Sequence, residues 1–250
     1  TAEIDILSEI EKSAYYIAEA VAVQTPFVLL SACIVVLAVI FAFVKLPSII
    51  KTVSNSGYRE VLKNKVLMMG AFAILVYVGA EVAIGSYLVN YFIDMDMHLI
   101  IQSTPWMNNI AINILNTDLG SLDKRAIVGA FVTFYWSGAM IGRFVGAYLT
   151  SKNNPSKVLG FFAIGALLFI VISMNTVGII SMWSILAVGL FNSIMFPTIF
   201  TLSIQDIDEL KPQASGILCT MIVGGAIIPP LYGFITDLSG FKTAMILLSS

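Results

Sequence analysis

Charge is scarce in this sequence. Aspartate, glutamate, lysine and arginine together make up 11% of its 250 residues, against about 25% in an ordinary soluble domain. Histidine is scarcer still: His98 stands alone, and one histidine cannot build a metal site. The two cysteines, Cys33 and Cys219, each lie deep in an apolar run without CxxC spacing or a histidine partner, and read as small apolar side chains. No HExxH or GxSxG motif occurs. An intramembrane enzyme would need a metal cluster or a nucleophile spaced with a base, so no catalytic residue, metal ligand or cofactor is expected. The first 25 residues are acidic and lack the basic start of a cleavable signal peptide.

Apolar residues fill the space that charge leaves. They make up 58% of the chain, the mean hydropathy is +0.94, and the class is an all-α membrane protein. Crossing a bilayer takes about 20 apolar residues of helix. Runs of that kind cover 26–44 (opened by Pro26, closed by Lys45 and Pro47), 66–93, 126–149, 158–174, 178–204 and 213–236, and 241–248 begins a seventh. The connections 150–157 and 175–177 are tight, so their spans are antiparallel neighbours. Ahead of the first span, 1–25 sets Ile4, Leu7, Ile10, Ala14, Ile17 and Val21 at helical spacing among acids, an amphipathic segment. In the polar stretch 94–125, Thr104 and Pro105 read as the cap and first residue of a short helix at the membrane surface. A chain that opens at Thr1 and stops inside an apolar run is expected to be a piece of a longer one.

Lysine and arginine set the orientation. Lys45, Lys51, Arg59, Lys63 and Lys65 crowd the loop 45–65, while Lys152, Lys157 and Lys211 follow the third and fifth spans. Counting spans puts all of these on one side, which is therefore expected to be cytoplasmic. The acids of 1–25, with Asp94, Asp96, Asp118, Asp123 and Asp237, fall on the other side. Lys12, Lys124, Arg125 and Lys242 run against the pattern.

The organising feature is Glu81, near the middle of the second span. A carboxylate there costs about 2.5–3.5 kcal/mol on insertion scales. It either lines a polar pathway or ligand site, or is tied to a neighbouring helix to fix packing. Tyr77 and Gly85 share its face; the first can hydrogen-bond, and the second leaves open space. Tyr87, Asn90 and Tyr91 lie nearer the outer end, where tyrosine also serves as an interfacial anchor. In the third span, Gly138, Gly142 and Gly146 form a GxxxGxxxG series that lets helix backbones approach. Arg143 lies within that series, either snorkelling to the surface or pairing inside as a gate or latch. Asn192 centres the fifth span, one turn before Pro197. Its amide needs a partner, and a packing role and a functional role weigh equally. Gly224, Gly225, Pro229 and Pro230 predict a bent or locally broken sixth span.

Tyr77-Val-Gly-Ala-Glu81, Gly142-Arg143-Phe144, Phe196-Pro-Thr-Ile-Phe200, and Gly224-Gly225 leading to Gly233-Phe-Ile-Thr-Asp237 occur in an order that resembles one branch of the major facilitator superfamily. That branch is the fucose–galactose–glucose:proton symporters. The resemblance implies the C-terminal six-helix half of a twelve-helix transporter, preceded by helix six. In those terms 26–44 is helix six, 45–65 the cytoplasmic linker, and 66–250 helix seven to the start of helix twelve, with 94–125 an extracytoplasmic loop longer than the family's. It implies that helices seven and ten line the cavity, with Tyr77, Glu81 and Asn192 facing the sugar. It places Arg143 in a cytoplasmic gating motif. Fucose-specific members carry glutamine where this chain has Glu81; glucose/galactose members match better, and N-acetylglucosamine carriers are compatible. The implied activity is secondary transport of a neutral hexose across a bacterial inner membrane by alternating access. The implied coupling ion is a proton, and the implied partners are the bilayer and the missing N-terminal half, with no nucleic acid. Rival readings are a carrier of another small solute and a channel-like or structural membrane subunit.

Overall fold

The computed structural model describes residues 9–44, 57–207 and 209–249. Among these residues all regular structure is helical, and six segments are long and apolar enough to cross a membrane. The chain divides into two compact units, Thr1–Val53 and Ser54–Ser250.

The first unit is built on helix α1, Glu9–Phe43, whose apolar span is Gln24–Phe43. The sequence sets a boundary at Pro26 between an amphipathic segment and a span, yet the helix runs through it. One interior proline removes one helical hydrogen bond. Ending one helix and starting another would leave up to four unsatisfied groups at each new terminus. Residues 1–8, and 45–56 of the expected basic loop, lie outside the described residues.

The second unit starts with a single turn, α2 (Tyr58–Val61). Asn64 then caps α3 (Lys65–Asp94) by accepting from the backbone N–H of Val66 at 3.0 Å and of Leu67 at 3.1 Å. The 30 residues of α3 extend about 45 Å, enough to cross a hydrocarbon core of roughly 30 Å even when tilted. There follow α4 (Met97–Ser103), α5 (Pro105–Leu115), α6 (Lys124–Lys152), α7 (Pro155–Asn175), α8 (Gly178–Asn192), α9 (Met195–Ile204), α10 (Lys211–Thr220), α11 (Gly224–Ser239) and α12 (Phe241–Ser249). Asp123 caps α6 and Asn154 caps α7.

Helix α8 packs on both α6 and α7, while α3 packs on α11 and α9. The inward stripe of α3 is Leu67, Ala71, Ile74 and Val78, at helical spacing and buried. The outward residues are as apolar as the inward ones: Met69 and Phe144 are both 74% exposed. An apolar exterior of this extent belongs against lipid rather than water.

Two features of the outer end depart from a plain reading of the sequence. The stretch 94–125 is structured, and α4 and α5 bury Met97, Ile101, Met107 and Ala111 in the main core. Trp106 stacks on Trp183 of α8, with ring centroids 6.1 Å apart. Tyr91 is also buried rather than an interfacial anchor. Its hydroxyl meets the Ser181 hydroxyl at 2.6 Å and that of Ser173 at 3.3 Å, which joins α3, α7 and α8. Lys242, an exception to the charge pattern, donates its ammonium to the Thr176 carbonyl at 2.8 Å, just past the end of α7. A cation is favoured at such a terminus. Gly240 (φ 82°) separates α11 from α12, a conformation that glycine adopts without a Cβ penalty.

Glycine sets the closest approaches. Gly142 of α6 lies so near α8 that a β-carbon there would run into the Leu190 carbonyl and the Ser193 hydroxyl. A β-carbon on Gly146 would run into Ile194, and one on Gly138 would stand 3.4 Å from the Leu190 backbone nitrogen. Gly224 of α11 meets the Leu75 carbonyl of α3 in the same way, and a β-carbon on Gly225 would lie 3.1 Å from the Val82 side chain. By contrast, Gly160 of α7 has open space around it. Gly142→Ala should therefore destabilise the full-length protein by about 1–3 kcal/mol through overpacking. Gly160→Ala should be neutral or stabilising by up to about 1 kcal/mol. Thermal unfolding of the purified protein in detergent compares the two.

Candidate functional site

Helix α3 carries Tyr77 and Glu81 one turn apart on one face. Both line a cleft of about 870 Å³, a volume typical of small-molecule sites. Arg143 of α6 and Phe196, Pro197 and Thr198 of α9 complete its deeper wall. From mid-span the cleft runs to the end of the α6–α7 hairpin, where Thr150 and Ser151 line it, and to Gln205 beyond α9.

The span that reads as one helix in the sequence is two, α8 and α9, separated at Ser193 and Ile194. Pro197 is the third residue of α9, in the first turn, where backbone N–H groups have no intrahelical acceptor and a missing one costs nothing. The break leaves helix-end carbonyls that side chains answer. The Tyr77 hydroxyl donates to the Asn192 carbonyl at 2.8 Å. The Asn192 side-chain amide donates to the Tyr135 hydroxyl at 3.1 Å. The Ser193 hydroxyl donates back to the Leu190 carbonyl at 2.7 Å.

This geometry sorts the candidates. Tyr77, Glu81, Arg143 and Pro197 meet at the cleft. Asn192 does not line it. It is 5% exposed, and its amide is turned toward Tyr135 on α6, so it braces the wall from behind. Gly85 leaves no open space beside Glu81, because the Trp136 ring lies 3.4 Å from where its β-carbon would be. Gly138, Gly142 and Gly146 lie in the α6–α8 contact, and Gly224 and Gly225 in the α3–α11 contact. Pro229 is buried within an unbroken α11. The irregular turn of that span is the 3₁₀ segment Met221–Val223, ahead of the glycine pair rather than at the prolines. The polar far wall, Thr150, Ser151, Thr201 and Gln205, carries no motif; helical phase from Glu81 cannot reach residues on other helices.

No family model matches the chain. The chain is 39% identical to a glucose/galactose transporter of Brucella abortus over 233 residues, covering 92% of this chain and 51% of that protein. It is 36% identical to a putative glucose/galactose transporter of Helicobacter pylori over 235 residues, covering 94% and 51%. It is 27% identical to the L-fucose-proton symporter of Escherichia coli over 246 residues, covering 95% and 50%. Among solved structures, the crystal structure of the E. coli fucose:proton symporter FucP superposes with a TM-score of 0.72 at 26% identity, over 99% of this chain and 57% of that one. FucP in the outward conformation gives 0.73 over 99% and 56%. The chain has the fold of the major facilitator superfamily. It spans about half the length of the curated relatives it matches, and the expected superfamily fold and the described helices agree.

The brace behind the cleft is open to test. Tyr135→Phe leaves the buried Asn192 amide without its acceptor and should cost about 1–3 kcal/mol. Tyr77→Phe frees a carbonyl beside the cleft, where water can reach it, and should cost about 0.5–1.5 kcal/mol. Thermal unfolding of the full-length protein ranks the two, and the reverse order would contradict the brace.

Proposed function

We propose that the chain is the C-terminal half of a proton-coupled hexose transporter of a bacterial inner membrane, working by alternating access. The observation that carries this reading is the mid-span cleft in which a lone carboxylate, Glu81, stands beside the Tyr77 phenol. The names of the relatives support the substrate class. In transporter terms α1 is helix six, α3 helix seven, α6 and α7 helices eight and nine, α8 with α9 helix ten, α10 with α11 helix eleven, and α12 the start of helix twelve. The basic connections face the cytoplasm, and the cleft opens toward them. The N-terminal half supplies its opposite wall.

A hexose presents a fan of hydroxyls and a weakly apolar ring face. The two oxygens of Glu81 accept hydroxyl hydrogen bonds, the aromatic body of Tyr77 stacks on the ring face, and the site needs no covalent chemistry. Substrate sites of this kind lie near the midplane, where irregular backbone is tolerated because it borders a cavity. The α8–α9 break fits that placement and gives the cavity wall a point of bending as the halves rock. A protonated Glu81 can donate to a sugar oxygen where the carboxylate only accepts, which links proton and sugar at one side chain.

In the full-length transporter, Glu81→Gln should lower proton-driven uptake about tenfold or more, the loss of a charge-assisted hydrogen bond of about 1.5–3 kcal/mol. Uptake into energised vesicles measures it, and normal accumulation with unchanged sugar preference would remove Glu81 from both roles. Counterflow separates the carrier from a channel: labelled sugar should enter against preloaded unlabelled sugar, and a pore shows no such exchange.

A further inference from the structure

Arg143 lies in the same cleft wall as Glu81. The superfamily resemblance puts this arginine in a gate toward the cytoplasm; in the fold it also lines the cleft. Of the described residues lining the cleft, Glu81 brings the one carboxyl group and Arg143 the one guanidinium. They come from different helices, α3 and α6, which pack on one another with the Trp136 ring of α6 against Gly85 of α3. Arg143 is exposed in this half, so its guanidinium is available to whatever enters.

We infer that Glu81 and Arg143 form a balanced charge pair that selects solutes by charge, admitting neutral hexoses and rejecting both acidic and basic sugars. The inference rests on the hexose reading above and assigns Arg143 to the specificity of that site. The reason is electrostatic symmetry: a charged solute in this cleft meets an opposite and a like charge together, so the repulsion offsets the attraction. A hexuronate finds Arg143 attractive but meets the Glu81 carboxylate in the same space. A hexosamine cation meets the reverse. A neutral sugar places hydroxyls between the two, donating to Glu81 and accepting from Arg143, and leaves the pair in balance. Specificity of this kind comes from repulsion as much as from attraction.

Removing one member should therefore change the class of ligand rather than simply abolish binding. Glu81→Gln leaves an unmatched guanidinium and should gain a hexuronate. Arg143→Gln leaves an unmatched carboxylate and should gain a hexosamine. The test uses the full-length transporter, purified in detergent, with galactose, glucose, fucose, N-acetylglucosamine, galacturonate and galactosamine as probes. Ligand-induced rise in thermal midpoint reads binding without requiring transport. Expected for the wild type is a rise with at least one neutral sugar and none with galacturonate or galactosamine. Glu81→Gln should bind galacturonate at least about tenfold more tightly than the wild type does, a change of about 1.4 kcal/mol, with no gain for galactosamine. Arg143→Gln should show the mirror image, and the double variant neither gain. Wild-type binding of either charged sugar as strong as that of the neutral one overturns the inference without any variant. So does a neutral-binding wild type whose single variants gain nothing. Failure of every neutral sugar to bind the wild type overturns the hexose reading itself, and the charge rule with it. Arg143 is exposed in this half, so its variant empties no packed core, and that arm decides if Glu81→Gln does not accumulate.

Discussion

In hydrocarbon every backbone polar group must find its partner inside the protein. The second unit is arranged around one place where a helix cannot supply it. The break between α8 and α9 ends a helix at mid-span. The Asn192 carbonyl takes its hydrogen bond from Tyr77 on α3, and the Asn192 amide gives its own to Tyr135 on α6. One residue at the break thus ties three helices together. It also fixes Tyr77, and with it the cleft face of α3, because a phenol held at 2.8 Å from a distant carbonyl is not free to rotate.

The remaining packing makes this arrangement rigid. Backbone-to-backbone approach at Gly142 and Gly189 seats α8 on α6; Gly224 against the Leu75 carbonyl, and Gly79 under the Ile228 side chain, seat α11 on α3. At the far end the Tyr91, Ser173 and Ser181 hydroxyls close a buried network, and α4 and α5 cover the core there. Such contacts tolerate little sliding, since a helix held by glycines against a carbonyl has no slack in its spacing. The irregular turn at Ser193 and Ile194 interrupts this packing beside the cleft.

Legibility in the sequence followed the range of the interaction. The six spans, the short helix at Pro105 and the glycine series were readable because they are written at short range, in apolar run length, capping residues and i, i+4 spacing. Glu81 stood out because a charge in an apolar helix is costly wherever it packs. The partner of Asn192 was not readable. Its amide could meet any helix, and the one it meets is reached through Tyr135, 57 positions away in the chain. The space beside Gly85 was misjudged for the same reason: the Trp136 ring that fills it belongs to α6. Pro197 and the Pro229–Pro230 pair look alike in sequence, yet the chain breaks just ahead of the first and runs on through the second. A proline within a first turn removes a donor that has no acceptor, whereas the carbonyls freed inside α11 are a tertiary matter.

The sequence by itself determined that the chain is a bundle of membrane-crossing helices, which of its faces are small enough to pack tightly, and that a carboxylate sits where none is cheap. Those properties depend on composition and on periodicity along one helix. Only the tertiary structure decided that Arg143 shares a cleft with Glu81, that Asn192 stands behind that cleft instead of in it, and that Tyr91 is buried. Each of these is a meeting of side chains from different helices. Helical phase tells which face a residue lies on but not which neighbour that face will find.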